Sequence, residues 1–240
     1  MSERIGVISW NVTGDLPDGG GPECVNRLWE ILDDLEASDF PVHFLCFQET
    51  SGSNGSIMSA LVGAGYTCHS VREGNGEGKW YLFALHPNSG FTFDKAPEQC
   101  LFHYENPSGS PLRYPSIARL TRSSDGRTVA LYTLHASLDG ALVEGLQKTS
   151  ALVNNAVQSG QFDNVYIAGD LNILDSAQIY DERTGKMVNF LKKLFPDFVG
   201  SSHNLDHIFR WPGINRRNLT GFHYDAPGDH ALIYTCFKVS

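Results

Sequence analysis

The chain has 240 residues, 41% of them hydrophobic, and a formal net charge of -9 from 27 acidic and 18 basic side chains. That is enough apolar surface for a large core, and no run approaches the roughly 18 apolar residues a membrane span needs. The acidic balance argues against a passive module that binds nucleic acid by long-range attraction.

In chain order, residues 4–10 form a strand candidate, whose apolar stretch Ile5 to Trp10 is expected to be too short, and lacks the cleavage site, for a signal peptide. The Gly/Pro/Asp stretch 14–22 reads as a loop. Val25, Leu28, Ile31, Leu32 and Leu35 then fall at helical spacing over 23–37. Residues 43–48 form a short buried strand, 57–62 a short helix, 66–71 a strand and 72–78 a loop. Strands are expected at 79–85, 116–120 and 128–135. Residues 140–158 are helical, with Leu142, Leu146, Leu152, Val153 and Val157 on one face and Asp139 placed as the cap. Residues 164–168 read as a buried strand and 187–195 as a helix stopped by Pro196. Residues 205–209 and 231–239 close the chain as strands. Neither loop is long enough for a domain linker, so 1–240 reads as one domain. Hairpin-like strands mixed with a few helices point to an α/β sandwich, two packed sheets with helices outside, rather than a doubly wound sheet.

Polar residues gather at the ends of the apolar strands: Asn11, Gln48-Glu49, His135, Gly169-Asp170-Leu171-Asn172, Asn204-Leu205-Asp206-His207 and Gly228-Asp229-His230. Any one of these is an ordinary turn or surface polar residue. Six in succession suggest a crevice along one sheet edge, where carboxylates, carboxamides and imidazoles hold a hard cation and activate water. The five cysteines (Cys24, Cys46, Cys68, Cys100 and Cys236) form no metal-spaced pair and are odd in number, which argues against both a thiolate zinc site and a disulfide framework.

The pieces Ser9-Trp10-Asn11-Val12-Thr13-Gly14, Phe47-Gln48-Glu49, Leu134-His135-Ala136-Ser137, Gly169-Asp170-Leu171-Asn172, Leu205-Asp206-His207 and Gly228-Asp229-His230 run nearly the length of the chain. In this order and spacing the sequence resembles the endonuclease/exonuclease/phosphatase superfamily, and within it the DNase I-like and cytolethal-distending-toxin nuclease branch. The segments from Lys79 to Asn88 and from His135 to Glu144, and Arg113-Tyr114-Pro115, carry the finer similarity. The resemblance implies a four-layer α/β sandwich of the DNase I-like kind, with two packed, mainly antiparallel sheets flanked by helices.

It also implies roles. Glu49 is the main ligand of Mg²⁺ or Mn²⁺, with Asn11 helping and Asp229 nearby. Asp170 and Asn172 orient water and scissile phosphate. His230, held by Asp206, is general base or phosphate ligand, and His135 the second imidazole. Arg113 neutralises a phosphate oxygen. In this branch the first histidine has a glutamate partner just before the strand aligned with 80–85. Here that position reads Lys79, with Glu77 two residues earlier, so either the register slips or His135 lacks the partner. Gly228 stands where Ser is usual.

Arg210, Arg216 and Arg217 around Trp211 are expected to hold a nucleic-acid backbone, with Trp211 available for stacking, or alternatively an inositol phosphate head group. The plain alternative is a solvated loop with one packed Trp. The leading expectation is therefore a metal-dependent phosphodiesterase, an endonuclease on DNA. Phosphoinositide or other phospholipid head-group hydrolysis is the alternative, and a catalytically inactive binding module on the same fold the third reading. Such a chain is expected to be cytoplasmic, or exported as an effector or toxin.

Overall fold

A computed structural model describes residues 3–12, 20–52, 55–74, 79–102, 113–137, 141–181, 183–212, 219–227 and 230–239. In chain order its elements are β1 (Glu3–Asn11), α1 (Gly20–Ala37), β2 (Phe44–Thr50), α2 (Ser56–Gly63), β3 (Thr67–Arg72), β4 (Trp80–Leu85), β5 (Phe91–Phe93), β6 (Glu98–Gln99), β7 (Ser116–Arg122), β8 (Thr128–His135), α3 (Leu142–Gln158), β9 (Asn164–Asp170), β10 (Gln178–Asp181), β11 (Lys186–Asn189), α4 (Phe190–Leu194), β12 (Val199–His203), β13 (Asp206–Trp211), β14 (Leu219–Tyr224) and β15 (Leu232–Val239).

Strand alternation and helix periodicity sort the apolar side chains into layers. One sheet runs β14-β15-β1-β2-β4-β3, the other β12-β13-β9-β8-β7-β5 with β6 also on β7. Pairing is antiparallel except for β1 with β2 and β8 with β9. Alternate residues of each sheet point opposite ways. Val7, Phe44, Cys46 and Phe83 of the first sheet meet Leu131, Tyr166 and Ile208 of the second in the central core. Ile8, Trp10, Leu45 and Phe47 face the other way, onto Leu28, Ile31 and Leu35 of α1 and Ile57 and Leu61 of α2. On the far side of the second sheet, Ala130, Tyr132, Val165 and Ile167 pack under Leu146 and Val153 of α3 and Leu191 of α4. The result is the expected four-layer sandwich, helix-sheet-sheet-helix. No helix among the described residues is long and apolar enough to cross a membrane.

Local expectations differ in places. The helix expected over 187–195 starts as strand: Met187 and Val188 pair with Tyr180 and Ile179 in a hairpin. The helix begins only after Asn189, whose side chain accepts from Lys192 N. Strands β5, β6, β10, β12 and β14 are short, and none carries a clean apolar alternation. Asp139, expected as the α3 cap, lies outside the described residues.

Gly169 is required by close packing. A Cβ there would lie 2.0 Å from the Leu134 carbonyl oxygen, so β9 seats against β8 only with glycine beside Asp170.

Candidate active site

The second sheet places three of the expected polar residues in one row. His135 on β8 pairs with Asp170 on β9, and Asp170 with Asp206 on β13. Side chains in register on adjacent strands share a face, and strands lie about 4.8 Å apart. The row therefore faces the other sheet at its β1 end, and Asn11 closes the gap by donating Nδ2–H to Asp170 Oδ2 at 3.0 Å.

Glu49 reaches this face through a bulge. The β2–β4 pairing runs in register to Phe47↔Leu82 and resumes at Thr50↔Trp80, three residues of advance on β2 against two on β4. Strict alternation would send Glu49 to the same side as Phe47, toward α1. The extra residue, with Glu49 at φ 59°, turns its carboxylate to the inter-sheet side instead. A non-glycine residue in that region costs roughly 1–2 kcal/mol. Beneath it, Gln48 Nε2 donates to Thr133 Oγ1 at 2.9 Å and bridges the sheets.

Glu49 is buried, and three donors converge on it. Lys79 Nζ donates to Oε2, His135 Nδ1 lies 3.1 Å from Oε1 and an Arg113 guanidinium nitrogen 3.7 Å from Oε1. Burial pushes this carboxyl up, but the Lys79 hydrogen bond and the charges of His135, Lys79 and Arg113 outweigh it and hold the group below the usual range.

His135 does have a glutamate partner. It is Glu73, with Oε2 3.2 Å from His135 Nδ1. The same carboxylate accepts the Glu49 backbone N–H at 2.6 Å. Glu77 lies outside the described residues; the partner is six residues before Lys79, just past the end of β3, a position that sequence reasoning missed. Arg113 can only donate, so its contact with His135 Nε2 leaves Nδ1 as the ring's donor toward the two glutamates.

At the other end of the row, His230 Nδ1 lies 2.9 Å from Asp206 Oδ2, and its Nε2 lies 3.6 Å from Asp170 Oδ2. Asp206 is buried, and its Oδ1 has no hydrogen-bond partner among the described residues. Burial raises the Asp206 carboxyl above its usual range; the His230 hydrogen bond opposes this and the Asp170 charge adds to it. Asn172, at φ 51°, donates its backbone N–H to Asp170 Oδ1 at 2.8 Å and its Nδ2–H to Ala136 O at 2.7 Å.

Asn11, Glu49, Arg113, His135, Asp170, Asn172, Asp206 and His230 are thus brought together. Asp229, Arg216 and Arg217 lie outside the described residues. Arg210 is not brought to the site. It pairs with Tyr166 at the opposite end of β13 from Asp206, is 3% exposed, and donates to Asn164 Oδ1 at 3.1 Å and Pro212 O at 2.9 Å. Trp211 packs against the α3–α4 layer. The expectation of a cationic surface at Arg210 is corrected accordingly: strand alternation and the half-buried Asn164 carboxamide hold that guanidinium inside the fold.

Two donor sets suit a cation. The ligand atoms of Asp170, Asp206 and His230 lie within 4.8 Å of one another. Glu49 and Asn11 offer a carboxylate and a carboxamide, the oxygen donors that a hard divalent ion prefers. The convergence of Lys79, Arg113 and His135 on Glu49 shows how much positive charge that carboxylate accommodates. The residues present therefore fit a hard divalent cation.

No protein-family profile matches the sequence, and no curated protein sequence does. Solved structures do match the fold. An endonuclease/exonuclease/phosphatase family protein from Bacteroides thetaiotaomicron aligns with TM-score 0.65 at 16% identity, over 100% of this chain and 99% of that one. The TDP2 of D. rerio, complexed with single strand DNA product, aligns with TM-score 0.60 at 18% identity, over 98% and 99% of the two chains. A mannosyl-6-phosphatase of Bacteroides thetaiotaomicron VPI-5482 aligns with TM-score 0.61 at 15% identity, over 96% and 98%. The chain therefore has the DNase I-like α/β sandwich, the fold of endonuclease/exonuclease/phosphatase proteins.

Proposed function

We propose that this chain is a divalent-metal-dependent phosphodiesterase, an endonuclease that hydrolyses DNA by in-line attack of an activated water. The observation that carries the reading is the single row from Glu49 through His135 and Asp170 to His230, spanning both sheets at one end. A fold alone does not choose a substrate. The D. rerio TDP2 complexed with a DNA product supports nucleic acid on this scaffold.

Glu49 and Asn11 would hold the cation, which would supply Lewis-acid polarisation of the phosphate and offset its charge. His230 takes the proton of the attacking water at Nε2. Asp206 holds the opposite nitrogen, which sets the tautomer and stabilises the charge that forms on the ring. Asp170, fixed by Asn11 and the Asn172 amide, orients the water. Arg113 supplies donors to the phosphate oxygens, where charge grows in the transition state. His135 lends its support from the Glu49 side.

A second reading, hydrolysis of a phosphomonoester or phospholipid head group, is favoured by one observation: a mannosyl-6-phosphatase shares the fold at similar TM-score. Supercoiled plasmid incubated with the chain and Mg²⁺ or Mn²⁺ separates the two. Nicked circle that forms with metal and disappears with chelator is the expected result. Intact plasmid together with phosphate released from a sugar phosphate or phosphoinositide selects the second reading. Inertness toward all of them, in a folded chain, selects the inactive binding module.

Glu73 is a positioning residue on this reading, because it holds both His135 and the Glu49 backbone. Glu73→Gln is expected to lower kcat about 10–100-fold, the usual effect of losing such a support. Steady-state kinetics check this, and an unchanged kcat removes Glu73 from the machinery.

A further inference from the structure

The catalytic row does not stop at Asp206. On β12, His203 pairs with Asp206 in antiparallel register. Opposite residues of an antiparallel pair share a face, so His203 stands one strand beyond Asp206 and about 10 Å from Asp170 across two strand spacings. In the other sheet His223 on β14 pairs with Ile233, which pairs with Ser9 of β1, two residues before Asn11. β12 and β14 are the edge strands of their sheets on the same side. Their close approach is enabled at Gly221, where a Cβ would lie 2.9 Å from Ser201 Cβ, and the Ser201 hydroxyl also bonds that of Thr235 on β15, the strand paired with β14. The two imidazoles consequently stack across the rim, with centroids 4.2 Å apart and planes 14° from parallel.

The local backbone is arranged around this pair. Asn204 sits at φ 52° and its Nδ2 lies 3.3 Å from His203 Nε2. An amide nitrogen donates, so Nε2 accepts and Nδ1 carries the ring proton. Among the described residues no acceptor meets His203 Nδ1 or either His223 nitrogen. Burial and the neighbouring His223 hold His203 below its usual range, with Asp225 opposing them. An anion in the notch would favour the charged pair that the stack resists. Among the described residues, the cationic groups on the Glu49 flank are Lys79 and Arg113, while on the His230 flank the row continues in imidazoles and Arg210 is buried elsewhere.

We infer that His203 and His223 form a second phosphate subsite, which binds the phosphate next to the scissile one in a substrate carrying at least two. The inference rests on the phosphodiesterase reading and narrows it: the chain prefers oligonucleotide-like polyanions to esters with a single phosphate.

The test compares kcat/KM on an oligodeoxynucleotide with kcat/KM on bis(p-nitrophenyl) phosphate. His203→Ala and His223→Ala are each expected to lower the ratio of the two about tenfold, the effect of one charge-assisted hydrogen bond, chiefly through the KM for the oligonucleotide. His223→Lys, which restores a donor and a charge but not an imidazole stack, is expected to recover most of the ratio. Equal losses on both substrates, or recovery of nothing by lysine, would assign the pair a merely structural role and overturn the inference. Anisotropy of a fluorescein-labelled oligonucleotide reads the subsite without turnover. An unchanged Kd in the double alanine variant, or no binding by the wild-type chain, also overturns it. A wild-type chain that binds through this pair but hydrolyses neither ester leaves the subsite standing and removes the phosphodiesterase reading.

Discussion

Replacing His230 with alanine is expected to slow phosphodiester hydrolysis about 10²–10⁴-fold, the range over which a positioned acid or base contributes. The expectation follows from its two nitrogens. Nδ1 is committed to Asp206 at 2.9 Å, and Nε2 looks toward Asp170 at 3.6 Å, with the imidazole side chain 14% exposed. Among the described imidazoles His135 is comparable, with Glu73 at Nδ1 and Asp170 Oδ2 3.5 Å from Nε2, but Arg113 also contacts that Nε2. Asp206→Asn offers a graded companion, since it keeps the shape while removing the charge that stabilises a protonated ring. It should lose less activity than His230→Ala. Thermal unfolding of both variants guards against trivial loss of fold, and a folded His230→Ala chain with wild-type kcat would exclude His230 as the base.

The second large effect is expected at Glu49. Glu49→Gln preserves volume but removes the one carboxylate on which Lys79, Arg113 and His135 converge. The metal concentration for half-maximal rate should rise about 100-fold or more. Loss of an outer-shell support already costs up to about that much, and loss of a direct ligand is at least as severe. Calorimetric titration with Mn²⁺ should show the same weakening without any substrate present. The outcome that would sink the assignment is a metal titration identical to wild type accompanied by a lower melting temperature. That would make Glu49 the centre of a structural ion cluster, with the cation held instead by Asp170, Asp206 and His230.

Both expectations concern residues that the sequence by itself singles out. Asn11, Glu49, His135 and Asp170 stand at the end of an apolar strand pattern, and Asp206 and His230 at or just before the start of one. Those patterns are strong because the strands are buried on both faces, by the facing sheet and by a helix layer. Edge and hairpin strands were harder to see. β12 reads Val-Gly-Ser-Ser-His and β14 Leu-Thr-Gly-Phe-His-Tyr, half exposed and interrupted by glycine, so neither carries a clean apolar alternation.

Apolar periodicity and the spacing of polar motifs determined, from the sequence alone, a layered α/β sandwich and which residue types stand at its strand ends, because both signals are local. Only the tertiary structure decided who meets whom. Glu73 finds His135 across 62 residues, the β2 bulge turns Glu49 inward, Asn164 takes the Arg210 guanidinium out of solvent, and His203 meets His223 where two sheet edges approach. Each of these depends on strand register and sheet-to-sheet packing, which are set by the sum of many long-range contacts and leave no mark on the spacing of neighbouring residues.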